Sequence, residues 1–275
     1  MHGDERVDLL ARTRSVLLDA LGALRDHIDD VIVIGAQAVY LQTGGVDVAL
    51  AEATKDSDVA VDPRNLRDEP RIEEAMRSAG FVPAESGQPG AWMTIDGIPV
   101  DLMVPELFSG KGRRGARIPP HSKHAARRAR GLEAAIVDAP SMMITALNSS
   151  DQRVIPARVA GPAALIVAKT HKINERLGDS SRLIDKDAHD IYRIFRATET
   201  LDLGRTFRKL LMDDVSAEVT RESLTHLSEL FAPGPTATGS MMAGRAESGV
   251  GNPDEVSTSV WILVNDLIEE LSFTG

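Results

Sequence analysis

The chain has 275 residues, a formal net charge of −10 and 43% hydrophobic residues, enough apolar material for a sizeable core and too little net positive charge for indiscriminate nucleic-acid binding. It contains no cysteine, which excludes disulfides and thiolate-bound zinc and suits a reducing, cytoplasmic setting. No apolar run approaches the roughly 20 residues of a membrane helix, so no membrane partner is expected. In chain order, Val7, Leu10, Leu17, Leu21, Leu24 and Ile28 recur at helical spacing and predict an amphipathic helix over 7–28. Val31–Ile34 reads as a buried strand ending at Gly35, and 36–42 as a helix stopped by Gly44 and Gly45. Residues 58–62 alternate as a half-buried strand does, with Pro63 after them. A helix is expected over 70–79. Strands at 92–95 and 98–104 flank Asp96-Gly97, a hairpin signal. A loop leading into a short helix is expected at 122–130. Helices are expected over 162–177, 184–197, 203–213, 216–231 and 256–272, with a Gly-, Pro- and Ser-rich loop over 233–253. The fold class is therefore α+β. An α/β domain over 1–150 carries a mixed sheet with helices, and a helical half follows over 151–275, the boundary falling near 148–160.

Three acids carry the chemistry. Asp56 and Asp58 stand at i and i+2 at the start of a strand, so both side chains reach one face and can share a cation. Asp101 lies inside a strand with apolar neighbours, where an unpartnered charge is costly. Three carboxylates from two strands would hold magnesium, or manganese in its place, because such hard cations take carboxylate oxygens together with substrate phosphates. Taken alone, Asp-x-Asp reads more often as a solvated turn that starts a strand. A glycine at a strand-to-helix turn upstream lets backbone N–H groups approach a phosphate, and Gly35 stands at such a turn.

The helical half supplies the opposite charge. Lys169 and Arg176 lie two turns apart on one helix face, with Lys172 near it. Asp187 and Asp190 stand at i and i+3 on the next helix, where Asp190 could pair with Lys169 or act as a base. An ordinary interhelical salt bridge would show the same residues. His189, between the two acids, is expected at the surface.

The order Gly35-Ala36, Asp56-x-Asp58, Asp101 resembles nucleotidyltransferases of the DNA polymerase β-like superfamily. Lys169 through Arg176, followed by Lys186-Asp187-Ala188-His189-Asp190-Ile191-Tyr192, resembles the two helix motifs of AbiEii/MenT-like nucleotidyltransferase toxins. The similarity spans roughly residues 30 to 197. The resemblance implies Asp56, Asp58 and Asp101 as metal ligands, and these three with Lys169 and Asp190 as catalytic residues. It assigns Gly35, Ala36, Thr54, Lys169, Lys172, Arg176 and Asp187 to the nucleotide. It implies transfer from a nucleoside triphosphate to the 3′ end of tRNA, blocking translation, by the toxin of a toxin–antitoxin pair whose antitoxin is a separate protein. The family's first motif commonly has Gly-Gly or Gly-Ser, so with Ala36 a phosphate contact there must come from the backbone. Residues 111–130 concentrate eight basic residues and no acid. Among them Arg113, Arg114, Arg117, Lys123, Arg127 and Arg128 are the candidates for RNA phosphates; a solvated charged face or a dock for an acidic protein is the competing reading. The competing functions are a small-molecule or protein nucleotidyltransferase, of the antibiotic-adenylylating kind, and a binding module that has lost its chemistry.

Overall fold

The structure, a computed structural model, describes residues 2–44, 56–179 and 181–272. It is a mixed α/β architecture whose C-terminal part is helical. The chain opens with α1 (His2–Ala23), a 3-10 turn over Arg25–Asp30, β1 (Val31–Ile34) and α2 (Gly35–Thr43). Next come β2 (Ser57–Val61), α3 (Ile72–Ser78), β3 (Val82–Pro83), β4 (Ala91–Met93) and β5 (Pro99–Pro105). β6 (Arg127–Ala129), α4 (Glu133–Val137), β7 (Ser141–Thr145) and β8 (Val154–Val159) follow. Six helices complete the chain: α5 (Pro162–Arg176), α6 (Asp185–Ala197), α7 (Thr200–Met212), α8 (Ala217–Phe231), α9 (Thr238–Arg245) and α10 (Pro253–Ser272).

The strands form one sheet in the order β3-β4-β5-β2-β1-β8-β7, with β6 added to β5. β1 is antiparallel to β2 and parallel to β8, while β2 is parallel to β5. β1 is buried along its whole length, as expected of an apolar run at the sheet centre. Leu17, Leu18, Leu21 and Leu24 of α1 and the turn after it are fully buried, so the amphipathic stripe read from the sequence is a core stripe. In the helical part, Phe207, Phe231 and Leu267 are buried on α7, α8 and α10. α2 packs against both α5 and α6, which brings the helical part onto the end of the sheet where β1 finishes. No helix among the described residues is long and apolar enough to cross a membrane.

Four expectations need correction. The first helix ends at Ala23, and the chain to Asp30 is a 3-10 turn that buries His27. The segment 122–130 is not a helix. Its last part is β6, because β4 covers only the first residues of β5 and leaves Met103–Pro105 with an open edge that Arg127–Ala129 fills. The interval 148–160 holds β8, so the sheet's last strand lies beyond residue 150. Pro156 interrupts this strand, whose residues show no clear alternation and so leave no strand signal in the sequence. The interval 233–253 holds α9, whose glycines serve packing. A Cβ on Gly239 would strike the Phe231 ring, and one on Gly244 would strike Ser257 and the Pro253 carbonyl. Close helix approach, rather than a turn, accounts for glycine there.

Candidate active site

The site is built on a row across three neighbouring strands. β1 ends at Ile34, which pairs with Asp58 of β2, and Asp58 pairs with Asp101 of β5. Residues in register on neighbouring strands lie about 5 Å apart and share a face. Gly35, directly after β1, has φ +65° and starts α2. A Cβ there would overlap the Asp58 carboxylate, so both backbone conformation and space require glycine. The first-turn N–H groups of α2 are thereby set beside Asp58, an arrangement suited to phosphate oxygens. Ala36 follows, buried.

Asp58 is the electrostatic centre. Its pKa is raised to about 6, first by burial and then by the charge of Asp56, with a further contribution from Asp101; Lys172 and Arg127 act in the opposite direction. The set of groups felt by one carboxyl puts the sheet acids and the helix lysine within electrostatic reach of Asp58. Asp56 precedes β2 and is exposed. Asp101 has a partner, as its place in a strand demanded. Arg127 Nη2 donates to its Oδ2 at 3.1 Å. Among the described residues, no three carboxylates or imidazoles close on a common point as metal ligands would. Thr54, assigned to the nucleotide from the sequence, lies outside the described residues.

The helical motifs meet as the spacing suggested. Lys169 Nζ lies 2.6 Å from Asp190 Oδ2 and 3.0 Å from Asp187 Oδ1, with all three side chains buried. Burial works against the ammonium, but Asp190 and Asp187 outweigh it and raise its pKa. Burial likewise opposes the Asp187 carboxylate, and Lys169 and Lys172 outweigh it, so its pKa is lowered. Lys172 Nζ is 3.0 Å from the same Asp187 oxygen and its side chain is 41% exposed. Arg176 Nη1 stands 3.6 Å from Asp187 Oδ2. Lys169 is thus enclosed, whereas Lys172 is the lysine that both touches this cluster and acts on Asp58.

The basic segment divides in two. Arg113, Arg114, Arg117 and Lys123 are exposed, as is Lys111. Arg127 and Arg128 turn inward: the first meets Asp101, and the second reaches Glu106 Oε1 at 2.9 Å and the Gly112 carbonyl. Arg130 joins Glu106 at 3.0 Å to Glu218 and Glu222 of α8, tying the sheet to the helices.

Sequence reasoning missed three contacts. His189 is buried, against expectation, and its Nε2 lies 2.7 Å from Glu247 Oε1, fixing α6 to the turn after α9. Arg14 Nε donates to Gln37 Oε1 at 2.9 Å, and Gln37 Nε2 donates to Thr13 Oγ1 at 3.0 Å, anchoring the start of α2 to α1. The Arg127–Asp101 pair is the third. Each joins residues far apart in sequence, and the one available signal was the unmet need of Asp101 for a cation. No family model matches the chain, and no curated protein is detectably similar to it in sequence.

Proposed function

We propose that the chain is a nucleotidyltransferase that moves a nucleoside monophosphate from a nucleoside triphosphate to an acceptor hydroxyl and releases pyrophosphate. The observation that carries this reading is the convergence on Asp58 of two further acids and two cations drawn from both parts of the chain. Asp56 and Asp58 fit a divalent cation. They offer hard oxygen donors, and their mutual repulsion in a half-buried setting is what such an ion relieves. Asp101 is the third ligand or the base that takes the acceptor hydroxyl's proton. Magnesium or manganese, when bound there, would supply the charge that polarises the phosphate and lowers the hydroxyl's pKa.

The protein's own residues do the positioning. The backbone at Gly35 and Ala36 faces the phosphates, and Lys172 offers them a mobile point charge. Arg176 stands one helical turn further on the same face. Lys169, held between Asp187 and Asp190, is a fixed positive charge behind that surface. Catalysis by such a site is chiefly alignment and charge stabilisation. The acceptor we assign is the 3′ end of tRNA, and the biological role that of a toxin restrained by a separate antitoxin protein. Both rest on the resemblance of the two helix motifs and on the exposed basic residues of 111–123.

Incubation with each of the four labelled triphosphates and bulk RNA tests the reading. Label should enter RNA of tRNA size, and Asp58→Asn should lower incorporation about a thousandfold. Incorporation that survives Asp58→Asn would overturn it, and absence of label in RNA with every triphosphate would remove the tRNA acceptor in favour of a small-molecule or protein one.

A further inference from the structure

We infer that Arg127 is a latch on Asp101, one that the phosphate of an incoming nucleotide opens. The inference rests on the nucleotidyltransferase reading and adds a residue to its machinery. Three observations carry it. Asp101 stands in register beside Asp58, yet its Oδ2 accepts from Arg127 Nη2 at 3.1 Å, and among the described residues no three acids close on one point. The carboxylate that would complete a metal site is therefore engaged by a cation. Second, the Arg127 guanidinium is incompletely satisfied, since its Nε is shielded from solvent and has no acceptor among the described residues. A buried donor without an acceptor is costly, and a phosphate oxygen would satisfy it together with the fork. Third, the sheet holds the Arg127 backbone, which pairs with Met103 on β5, so the guanidinium is presented to Asp101 from a strand. At 27% and 23% exposure, the two side chains are open enough to exchange partners.

A latch of this kind weakens the site's hold on a cation until the nucleotide arrives. It also makes Arg127 a positioning residue whose removal has opposite effects on two ligands. Losing the arginine frees Asp101 for the cation and removes a group that would bind phosphate.

The test is Mn2+ binding by the full chain without nucleotide, followed by the resonance of free Mn2+. Arg127→Met should tighten Mn2+ binding about tenfold, the scale of one charge-assisted contact. Arg127→Lys, which keeps the charge and loses the fork, should fall between. In an Asp101→Asn background the same Arg127→Met change should alter affinity less than about twofold, because the gain depends on releasing Asp101. Equal affinity in wild type and Arg127→Met, or a gain that persists with Asp101→Asn, overturns the latch and leaves the metal site standing if Asp58→Asn abolishes binding. Absence of Mn2+ binding in every variant, with or without a triphosphate, overturns the metal site and the latch together.

Discussion

Asp58 carries a proton more readily in the folded chain than in the unfolded one, and this has a measurable sign. With the folded pKa raised to about 6, the metal-free protein is helped by protonation below pH 4 and loses that help as pH rises through 6. At pH 8 the buried charge is a burden. Asp58→Asn should therefore stabilise the metal-free protein there by about 1–2 kcal/mol, the burial penalty being discounted for partial exposure. The gain should vanish near pH 4, and a divalent cation should raise the melting temperature of the wild type alone. Thermal unfolding across pH, with and without Mn2+, checks both. Gly35→Ala works in the other direction. It needs a left-handed backbone and the space of the Asp58 carboxylate, so it should cost about 1–3 kcal/mol and displace the acid as well.

Among the elements, α5 and α6 matter together. Lys169, Asp187 and Asp190 form a buried cluster, and breaking it from one side leaves an uncompensated charge. Asp190→Ala should destabilise by about 3–5 kcal/mol in denaturant unfolding. Lys172→Met, at a half-exposed position, should change stability by less than about 1 kcal/mol while raising the KM for the triphosphate. Equal stability losses in the two variants would show that the α5–α6 pair does not separate support from contact as the geometry has it. The lowered pKa of Asp187 means that its contribution to stability is fully present above the ordinary carboxylate range and is lost as pH falls below it, so Asp187→Asn should lessen the dependence of stability on acid pH. How far the elements could be read from sequence follows from the kind of signal each leaves. α6 has a one-sided apolar pattern, α5 opens on an apolar stretch and ends in charged residues, and β1 is a plain apolar run. β6 owes its existence to an open stretch of β5, and α9 to glycines that admit Phe231 and Ser257; neither has a local signature. At the site, spacing put Asp56 with Asp58, and Asp187 with Asp190, on shared faces; the Asp58–Asp101 register and the choice of Lys169 as the partner of both helix acids are visible only in the fold. Arg127 was assigned outward because a run of arginines gives no sign of which member turns in.

For the molecule as a whole, the division of the basic segment decides how it would meet RNA. Arg128 and Arg130 have carboxylate partners, whereas Lys111, Arg113, Arg114, Arg117 and Lys123 form the exposed group. Replacing those five with glutamine should weaken RNA binding and flatten its salt dependence by about 0.7–0.9 for each phosphate no longer neutralised. Arg128→Gln should leave the slope nearly unchanged. Filter binding across salt concentrations separates the two, and an equal effect of both would remove the distinction.

The row of Gly35, Asp58 and Asp101 is laid down within the first 101 residues, while its positive counterparts stand at 169 to 176. Translation runs in that direction, so a nascent chain carries the acids long before the lysines exist. A fragment cut in the loop between β8 and α5 holds the acids of the row without their lysines. Under the proposed function, separate expression of the pieces 1–160 and 161–275 should therefore give two inert halves, with nucleotide transfer, if the pieces associate, only on mixing. For a protein that would harm its own cell, a site split this way is silent on the ribosome until nearly two thirds of the chain has emerged.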